Sequence, residues 1–265
     1  MPLKYFQCPT GERIPTEECL VQCQQPEGRC ASLPYLHHIV SHQRPWTGVP
    51  STTQCLNGTR MEYLKITMDY TLDPDDQAYA VLGTRHHERL QVVADKLGMN
   101  AEMKLYGEVS GILDLLEPDE QQPDFFKLID YKTWGSYKIA KAKGMKGEDI
   151  DIDQVTLQLN HYRVKVEPLG FPISRIQVQA TCRDGNTQNA RDNEIRRNIH
   201  MIDIPLLEDG YVTSYFHARA EALVKAVETH TLPKACSTSE TWGGRRCKNY
   251  CEVVEFCPDG RKMAR

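Results

Sequence analysis

Asp130 and Lys132 are the residues of this sequence whose types and spacing point most directly to chemistry. They stand in Leu-Ile-Asp-Tyr-Lys-Thr, part of an apolar run that predicts a strand from Phe125 to Thr133. Alternate residues of a strand share a face, so we expect the carboxylate and the ammonium to point the same way. A carboxylate holds a hard cation through oxygen, and a neighbouring ammonium can orient a water or balance charge on phosphorus. This pair therefore suits the hydrolysis of a phosphodiester.

A second carboxylate, Asp114, lies in the preceding predicted strand, from Glu108 to Leu116. The turn-rich residues 117–120 join the two strands and predict a hairpin, in which Asp114 would meet Asp130 and share one metal ion with it. Gly111 would let backbone or ligand approach closely at this place. The apolar residues around Asp130 indicate a buried strand, and a carboxylate that enters a core must be paired or bound to metal.

The elements that must position these residues alternate between helix and strand. We predict a helix starting at Asp73-Pro74, with one stripe formed by Gly83, His87, Leu90, Ala94 and Leu97, and a second helix from about Asp153 to Val166, with Val155, Leu159, Tyr162 and Val166 at helical spacing. Strands are predicted at Ile173 to Cys182 and at Ile199 to Leu206. A last helix, which ends before Pro233, has one side formed by Phe216, Ala220, Leu223 and Val227. Together with the hairpin, this order predicts an α/β sandwich.

Two adjacent histidines, His86 and His87, compete for the role of a metal ligand on the helix before the hairpin. The stripe through Gly83, Leu90 and Ala94 turns His87 toward the predicted sheet, which favours His87.

Four segments in order resemble the successive motifs of RecB-type PD-(D/E)xK nucleases, and the match spans roughly residues 50 to 257. They are Gly83-Thr84-Arg85-His86-His87-Glu88, Gly111-Ile112-Leu113-Asp114, Ile129-Asp130-Tyr131-Lys132 and Gln158-Leu159-Asn160-His161-Tyr162. The resemblance implies an α/β, restriction-endonuclease-like core, which is a central mixed sheet flanked by helices. It also implies an exonuclease that depends on Mg²⁺ or Mn²⁺ and acts on DNA in repair, recombination or phage DNA processing.

The same resemblance assigns roles to individual residues. It implies that His87 and Asp114 are metal ligands, that Asp130 is the second carboxylate, and that the Tyr131 carbonyl completes the coordination shell of the metal. It also implies that Lys132 is catalytic and that Gln158 and Tyr162 form a Gln-x-x-x-Tyr motif. Gln158 and Tyr162 stand one helical turn apart, where they would position DNA or support the site. The family also places its histidine four residues after the glycine, which again selects His87 over His86.

Eight of the ten cysteines form two quartets of nearly repeating spacing. The quartets are Cys8, Cys19, Cys23 and Cys30 near the start, and Cys236, Cys247, Cys251 and Cys257 near the end. In both, ten and then three residues separate the first three cysteines, and the last gap is six in one and five in the other. In a reducing compartment such groups favour metal ligands over disulfides.

The first quartet predicts a small zinc-binding module, residues 1–45. A segment of about 35 residues is too small to fold on a hydrophobic core alone and needs a cross-link, which a metal ion bound by four thiolates provides. The proline- and glycine-containing residues 43–51 form a predicted linker after it. We therefore divide the chain into this module and a nuclease domain, residues 46–265, that carries the second quartet.

The second quartet resembles the cluster-binding tail of iron–sulfur RecB-type and CRISPR-associated exonucleases. Four cysteines hold either a [4Fe-4S] cluster or a second Zn²⁺, and spacing leaves both open. In those families the fourth cysteine lies before the nuclease core. Cys55, before a predicted helix from Arg60 to Ile66, is therefore the alternative to Cys236 as the fourth ligand, while the repeated spacing favours Cys236. Cys182, outside both quartets, reads as a core thiol.

The composition limits the classes of function. The net charge of −4 argues against a strongly basic nucleic-acid coat but allows a local basic strip. We see no apolar run of a signal-peptide or membrane-spanning kind and no phosphate-binding loop, so we expect a soluble, cytoplasmic protein without an ATP-driven motor. The expected partner is DNA, with a recombination or replication protein as a possible second partner. The competing class is a zinc and iron–sulfur scaffold that binds nucleic acid without cutting it.

A group of lysines follows the predicted catalytic strand in this otherwise acidic chain. The group is Lys127, Lys132, Lys138, Lys141, Lys143 and Lys146, with Trp134-Gly135-Ser136-Tyr137 among them. Lysines between flexible residues, with aromatic neighbours, suit a mobile segment that tracks phosphates and stacks an unpaired base. A solvated loop that keeps the surface soluble is the alternative.

Overall fold

The computed structural model of this chain describes residues 3–23, 25–146 and 154–264. The chain forms two compact units: Met1–Val81 with Ala218–Arg265, and Leu82–His217. The predicted zinc module lies within the first unit, and the predicted division at residue 45 stays a prediction. In the described ranges, no helix is both long enough and apolar enough to cross a membrane.

The described residues form both strands and helices. The strands are β1 Leu3–Gln7, β2 Arg13–Pro15, β3 Tyr70–Leu72, β4 Asn100–Leu105, β5 Gly111–Asp119, β6 Gln122–Trp134, β7 Ile173–Cys182 and β8 Ile199–Ile204. The helices are α1 Thr16–Val21, α2 Leu33–Ser41, α3 Thr52–Leu56, α4 Thr59–Thr67, α5 Ala78–Lys96, α6 Ser136–Ala142, α7 Gln154–Val166, α8 Gln188–Asp192, α9 Asp209–Glu228, α10 Arg245–Asn249 and α11 Pro258–Met263, with short 3₁₀ turns at Asp75–Gln77, Glu167–Leu169 and Val254–Phe256.

The second unit is built on a mixed five-stranded sheet in the order β4-β5-β6-β7-β8. Strands β6 and β7 are parallel, and the other neighbours are antiparallel. Helix α5 packs Ala94 against Leu115 and Ile129 on one side of the sheet. Helix α7 packs Leu159 and Val166 into the larger core on the other. The predicted α/β class, with a mixed sheet flanked by helices, is confirmed at this level.

Most predicted elements of the second unit are present with shifted ends. The hairpin is β5 and β6, paired antiparallel, and the predicted strand Ile173–Cys182 is β7. Helix α7 begins at Gln154 in the described residues, and the predicted start at Asp153 lies outside them. The last predicted strand ends at Ile204 rather than Leu206.

The predicted helix at Asp73-Pro74 differs at both ends. Its first turn is the 3₁₀ turn Asp75–Gln77, held where Asp73 Oδ1 accepts a hydrogen bond from the Asp75 N–H at 2.9 Å, and the α-helix follows from Ala78. At the other end, Gly98 adopts a φ of 69° and closes the helix, so Leu97 falls past the last turn. Leu97 is 65% exposed, and its place on the buried stripe was wrong.

The lysine-rich segment after β6 is also more ordered than predicted. Residues 136–142 form α6, whose Ile139 and Ala140 are fully buried in the core of the second unit. Asp184 accepts hydrogen bonds from the backbone N–H and the hydroxyl of Ser136, at 2.6 and 2.7 Å, and so fixes the start of the helix. A mobile loop is therefore wrong for these residues.

The first unit contains a smaller sheet in the order β2-β1-β3, which the sequence did not predict. Phe6, Leu36, Tyr70 and Leu223 lie in its core. Of the predicted linker, residues 43–50 carry no helix or strand, and Ser51 forms an isolated bridge.

Candidate metal centre

Asp114 and Asp130 are brought together by the register of the hairpin. Leu115 of β5 pairs with Ile129 of β6, and each carboxylate residue is the next one beyond that pair. Asp114 is 8% exposed and Asp130 is 1% exposed. Two carboxylates are thus held close to each other in a setting where each needs a cationic or hydrogen-bonding partner.

Asp130 meets its cation within its own strand. Lys132 Nζ lies 2.5 Å from Asp130 Oδ2, while Asp130 Oδ1 is buried without a hydrogen-bond donor. Burial raises the pKa of the Asp130 carboxyl to about 6, against the opposing charge of Lys132. Burial would lower the pKa of Lys132, but the charges of Asp130 and Asp114 outweigh it and the pKa is raised. Lys132 therefore keeps its proton.

Asp114 connects the hairpin to helix α5. Its Oδ2 accepts a hydrogen bond from the Tyr131 N–H at 2.7 Å and lies 3.3 Å from His87 Nδ1. Burial would lower the pKa of His87, but the hydrogen bond and charge of Asp114 outweigh it and the pKa is raised. Asp114 is therefore held in place by a backbone donor on one side and a histidine on the other.

The two adjacent histidines have different neighbours. His86 Nε2 lies 3.3 Å from the hydroxyl of Thr181 on β7, and burial, followed by the charge of His87, lowers the pKa of His86. Of the two predicted candidates, His87 is the one that lies against a carboxylate of the centre.

Sequence reasoning missed Glu102 of β4. Ala101 pairs with Leu115 and Met103 with Leu113, so Glu102 stands opposite Asp114, and its Oε1 lies 3.9 Å from His87 Nδ1. One ligand atom from each of His87, Glu102 and Asp114 lies within 4.8 Å of the other two. The signal was weak because the strand that carries Glu102 had not been predicted.

Gln158 and Tyr162 lie on helix α7, one turn apart as predicted. The side-chain amide of Gln158 donates a hydrogen bond to the Tyr162 hydroxyl at 3.2 Å. Tyr162 is 3% exposed and belongs to the core, and burial raises the pKa of its hydroxyl. The Tyr162 side chain is therefore packed within the core of the second unit.

The first cysteine quartet lines one cavity in the first unit. Cys8, Cys19, Cys23 and Cys30 share that cavity with Phe6, Leu36 and Arg29, among others. Burial raises the pKa of Cys19, and the neighbouring thiols of Cys30 and Cys23 raise it further. The four thiols are thus close enough to influence one another.

The second quartet lines another cavity of the first unit. Cys236, Cys247, Cys251 and Cys257 all border it, while Cys55 is buried elsewhere. Burial raises the pKa of Cys251 to about 11. Arg60 Nη1 lies 3.9 Å from Cys257 Sγ and 2.6 Å from Asp259 Oδ2, which places a cation beside the thiols.

Gly58 allows the approach of Cys236 to this cavity. A Cβ at that position would lie 2.5 Å from Cys236 Sγ, so any other residue there would force the Cys236 side chain or the backbone to shift. Of the two candidates for the fourth ligand, Cys236 is the one gathered with the other three.

The thiols of the quartets are more widely spaced than the ligands of the His87 cluster. Among the described residues, the His87, Glu102 and Asp114 group alone brings three potential ligand atoms within 4.8 Å of one another. Four thiolates on a tetrahedral Zn²⁺ lie about 3.8 Å apart, given bonds of about 2.3 Å. Each quartet must therefore draw together to hold a single zinc ion.

Comparisons with known proteins place the chain in no named group. No protein-family model matches it, and no curated protein matches it. A solved structure titled "Crystal structure of SSO0001" is similar at 15% sequence identity, with a TM-score of 0.49, over 86% of this chain and 93% of that one. A likeness at that level assigns neither family nor function, so the arguments that follow depend on the geometry of the site.

Proposed function

We propose that this protein is a nuclease of the PD-(D/E)xK type that hydrolyses DNA phosphodiester bonds with Mg²⁺ or Mn²⁺. The observation that carries the proposal is the buried Asp130–Lys132 ion pair beside Asp114 and His87. An ion pair with a purely structural role would not need a second carboxylate next to it. Nor would it need a buried acceptor without a hydrogen-bond donor, and Asp130 Oδ1 is such an acceptor. A site that receives a cation and a phosphate accounts for both features.

The residues present suit a hard divalent cation. Asp114 and Asp130 offer carboxylate oxygens, Tyr131, the residue after Asp130, offers its carbonyl, and His87 offers a ring nitrogen. Mg²⁺ and Mn²⁺ accept such a donor set. When bound, such a cation polarises the scissile phosphate and makes a water molecule more acidic.

The side chains of this chain then divide the remaining tasks. Lys132 keeps its proton at Nζ, where it can orient the attacking water and balance the charge that develops on the phosphate oxygens. Asp114 is held by the Tyr131 N–H, so its free electron pairs point in a fixed direction. Gln158 and Tyr162 act as positioning residues, since their hydrogen bond stiffens the helix that covers Asp130 and Lys132.

The test is cleavage by the purified, full-length chain. End-labelled linear DNA, single- and double-stranded, and closed circular DNA are incubated with Mg²⁺, with Mn²⁺ or with no divalent cation. We expect metal-dependent loss of linear DNA, with circular DNA spared because an exonuclease needs an end. Lys132→Ala and Asp114→Ala should each reduce the rate by roughly a hundredfold or more, since each removes an electrostatic contact made in the transition state.

Lys96→Ala is the matched control, because Lys96 is an exposed lysine in the last turn of α5 and lies outside the candidate metal centre. It should cleave as the wild type does. Wild-type turnover by folded Lys132→Ala or Asp114→Ala protein would reject the active site, and a wild type that binds DNA without cutting it would favour the non-catalytic scaffold.

A further inference from the structure

We infer that an exposed aromatic surface of the first unit binds single-stranded DNA, with an unpaired base stacked on the Trp242 ring. The surface, which we call the aromatic platform, consists of Trp242, Arg245, Lys248 and Tyr250. The inference rests on the proposed function for the choice of DNA as the partner. It adds a DNA contact outside the candidate metal centre.

The platform presents two neighbouring aromatic rings to solvent. Trp242 is 43% exposed and Tyr250 is 56% exposed, and their ring centroids lie 5.8 Å apart. Aromatic side chains stabilise a fold mainly through the large area that they bury, so two adjacent rings left this open contribute little of that kind. They do offer a surface on which a flat, apolar ligand face can stack.

The charge around the rings is positive. Residues 241–250 contain Arg245, Arg246 and Lys248 and no carboxylate, in a chain whose net charge is −4. Arg245 and Lys248 are exposed, where they can meet phosphates. Aromatic rings interleaved with cations are the combination that single-stranded nucleic acid requires, because the bases stack and the backbone carries negative charge.

The Trp242 ring is held in place before any ligand arrives. Trp242 has a φ of 52°, in the left-handed region that side chains other than glycine rarely adopt, and its N–H donates to the Ser239 carbonyl at 3.1 Å. Arg246 Cζ lies 4.9 Å from the centre of the ring, and Arg246 Nη2 donates to Asn57 Oδ1 at 2.9 Å. A ring that is already fixed costs less to order when a base stacks on it.

The strandedness of the partner follows from what the rings can contact. In a duplex, the faces of the bases are covered by their neighbours in the stack, whereas an unpaired strand can present them to an aromatic side chain. Stacking also tolerates any sequence, because every base has such a face. We therefore expect the platform to prefer single strands to duplexes and to read little sequence.

The first experiment uses the fluorescence of Trp242 in the full-length chain. The sequence has three tryptophans, so Trp46→Phe/Trp134→Phe leaves Trp242 as the one emitter. Oligothymidylate is added without Mg²⁺ or Mn²⁺, and saturation is followed separately by the anisotropy of a labelled oligonucleotide. We expect the emission to fall as the strand binds, because a stacked base quenches the indole. Unchanged emission at saturation would overturn the inference.

The second experiment separates stacking from charge by measuring affinity against salt concentration. Trp242→Ala should weaken binding of oligothymidylate by at least about fivefold, the smallest loss for one stacked base, and should keep the wild-type salt slope. Arg245→Ala should flatten the slope by about 0.7, the value for one phosphate contact on a single strand. Arg44→Ala, at an exposed arginine of the first unit outside the platform, is the matched control and should behave as the wild type.

Further variants and ligands protect the test against a folding defect. Trp242→Phe keeps a ring and should retain most of the affinity, and a blunt duplex should lose less affinity than the single strand when Trp242 is replaced by Ala. An equal loss for duplex and single strand would overturn the inference, as would tighter binding of oligouridylate than of oligothymidylate. Because binding is measured without divalent cations, an inactive wild type that shows these effects would reject the nuclease and keep the platform.

Discussion

Lys132 and Asp130 combine a proposed role in catalysis with a cost in stability. The Asp130 side chain is 1% exposed and that of Lys132 is 22% exposed, so the pair is largely removed from water, and its mutual attraction compensates for this only while both partners are present. Removing one partner leaves the other as an isolated buried charge, which is more costly than removing both. The two possible roles of Lys132, in stability and in chemistry, can therefore be separated by measuring stability without divalent cations.

We expect Lys132→Met to lower the free energy of unfolding by about 3 kcal/mol, because Asp130 is then buried without its cation. The double variant Lys132→Met/Asp130→Asn should recover most of that loss, since neither charge remains. Urea denaturation in buffer free of Mg²⁺ and Mn²⁺ gives both values. Additive effects of the two substitutions would contradict an energetic coupling within the pair.

His161 provides a second residue-scale prediction, on stability and pH. Its ring stacks on Phe216 with centroids 3.9 Å apart, and its Nε2 is buried without a hydrogen-bond partner. Burial, with a smaller contribution from Lys165, lowers the pKa of His161 to about 3. The unfolded chain binds a proton below pH of about 6.5, whereas the folded chain stays neutral down to its own pKa. Stability from this group is thus complete above the unfolded pKa and is lost as pH falls.

We expect His161→Phe to flatten the fall in unfolding free energy between pH 6.5 and 5 by up to about 1.4 kcal/mol per pH unit, the value for one proton. Urea denaturation across that range measures the difference from the wild type. His37→Gln, at an exposed position on α2, should follow the wild type. Parallel pH profiles for His161→Phe and the wild type would show that His161 takes up its proton in the folded state as well.

At the scale of the element, helix α6 makes the lysine-rich segment an ordered surface that follows strand β6, which carries Asp130 and Lys132. Ile139 and Ala140 anchor one side of the helix in the core. Lys138 Nζ lies 5.2 Å from the centre of the Trp134 ring, at the end of β6. An anchored helix presents its lysines in a fixed arrangement. Such an arrangement suits contact with the phosphates of a DNA backbone that runs past the end of β6.

We expect the triple variant Lys138→Ala, Lys141→Ala and Lys143→Ala to weaken DNA binding and to flatten the slope of log affinity against log salt by about 2 to 3, since each phosphate contact contributes about 0.9. Binding is measured without Mg²⁺ and Mn²⁺ so that DNA stays intact. The control triple at the exposed lysines 96, 225 and 234 should keep the wild-type slope, and Mn²⁺ affinity should be unchanged in both. An unchanged slope in the α6 variant would move the search for the DNA contact to the first cysteine quartet.

The sequence predicts the elements that follow one regular pattern and misses those that break it. Strands β6 and β7 are long apolar runs with alternating residues, so both were found, and with them Asp130 and Lys132. Strand β4 is short, and the left-handed residue Glu102 interrupts its alternation, so periodicity indicates no strand there. Glu102 escaped notice for the same reason. Helix α6 was missed because only two of its buried residues, Ile139 and Ala140, are apolar, which is fewer than a periodic signal needs.

At the scale of the whole molecule, the chemistry is divided between the two units. The second unit, Leu82–His217, is one continuous stretch that contains all the residues of the candidate metal centre. The first unit combines both ends of the chain and contains both cysteine quartets. Sequence periodicity does not predict a unit made of two distant segments, because contacts between residues so far apart in sequence do not affect the local residue pattern.

This division leads to a prediction about the cysteines. After anaerobic purification, we expect metal analysis to find zinc at the first quartet, and either iron with labile sulfide or a second zinc at the second quartet. The wide spacing of the thiols makes the choice informative, since one zinc ion must draw four sulfurs together, whereas a cluster holds each thiolate on a different iron atom. Cys236→Ser should lose the metal of the second quartet, and Cys55→Ser, the matched control, should keep it.

The consequence for the fold is testable by hydrogen exchange in the full-length chain. The double variants Cys19→Ser/Cys23→Ser and Cys247→Ser/Cys251→Ser should each lose a metal and exchange faster in peptides of the first unit, because metal binding and folding are coupled in small cysteine sites. Peptides from residues 82–217 should keep their wild-type protection, since the core of the second unit lies between its own sheet and helices. Faster exchange throughout that stretch would show that the two units unfold together, and a metal-free protein with unchanged exchange would show that the eight cysteines are not ligands.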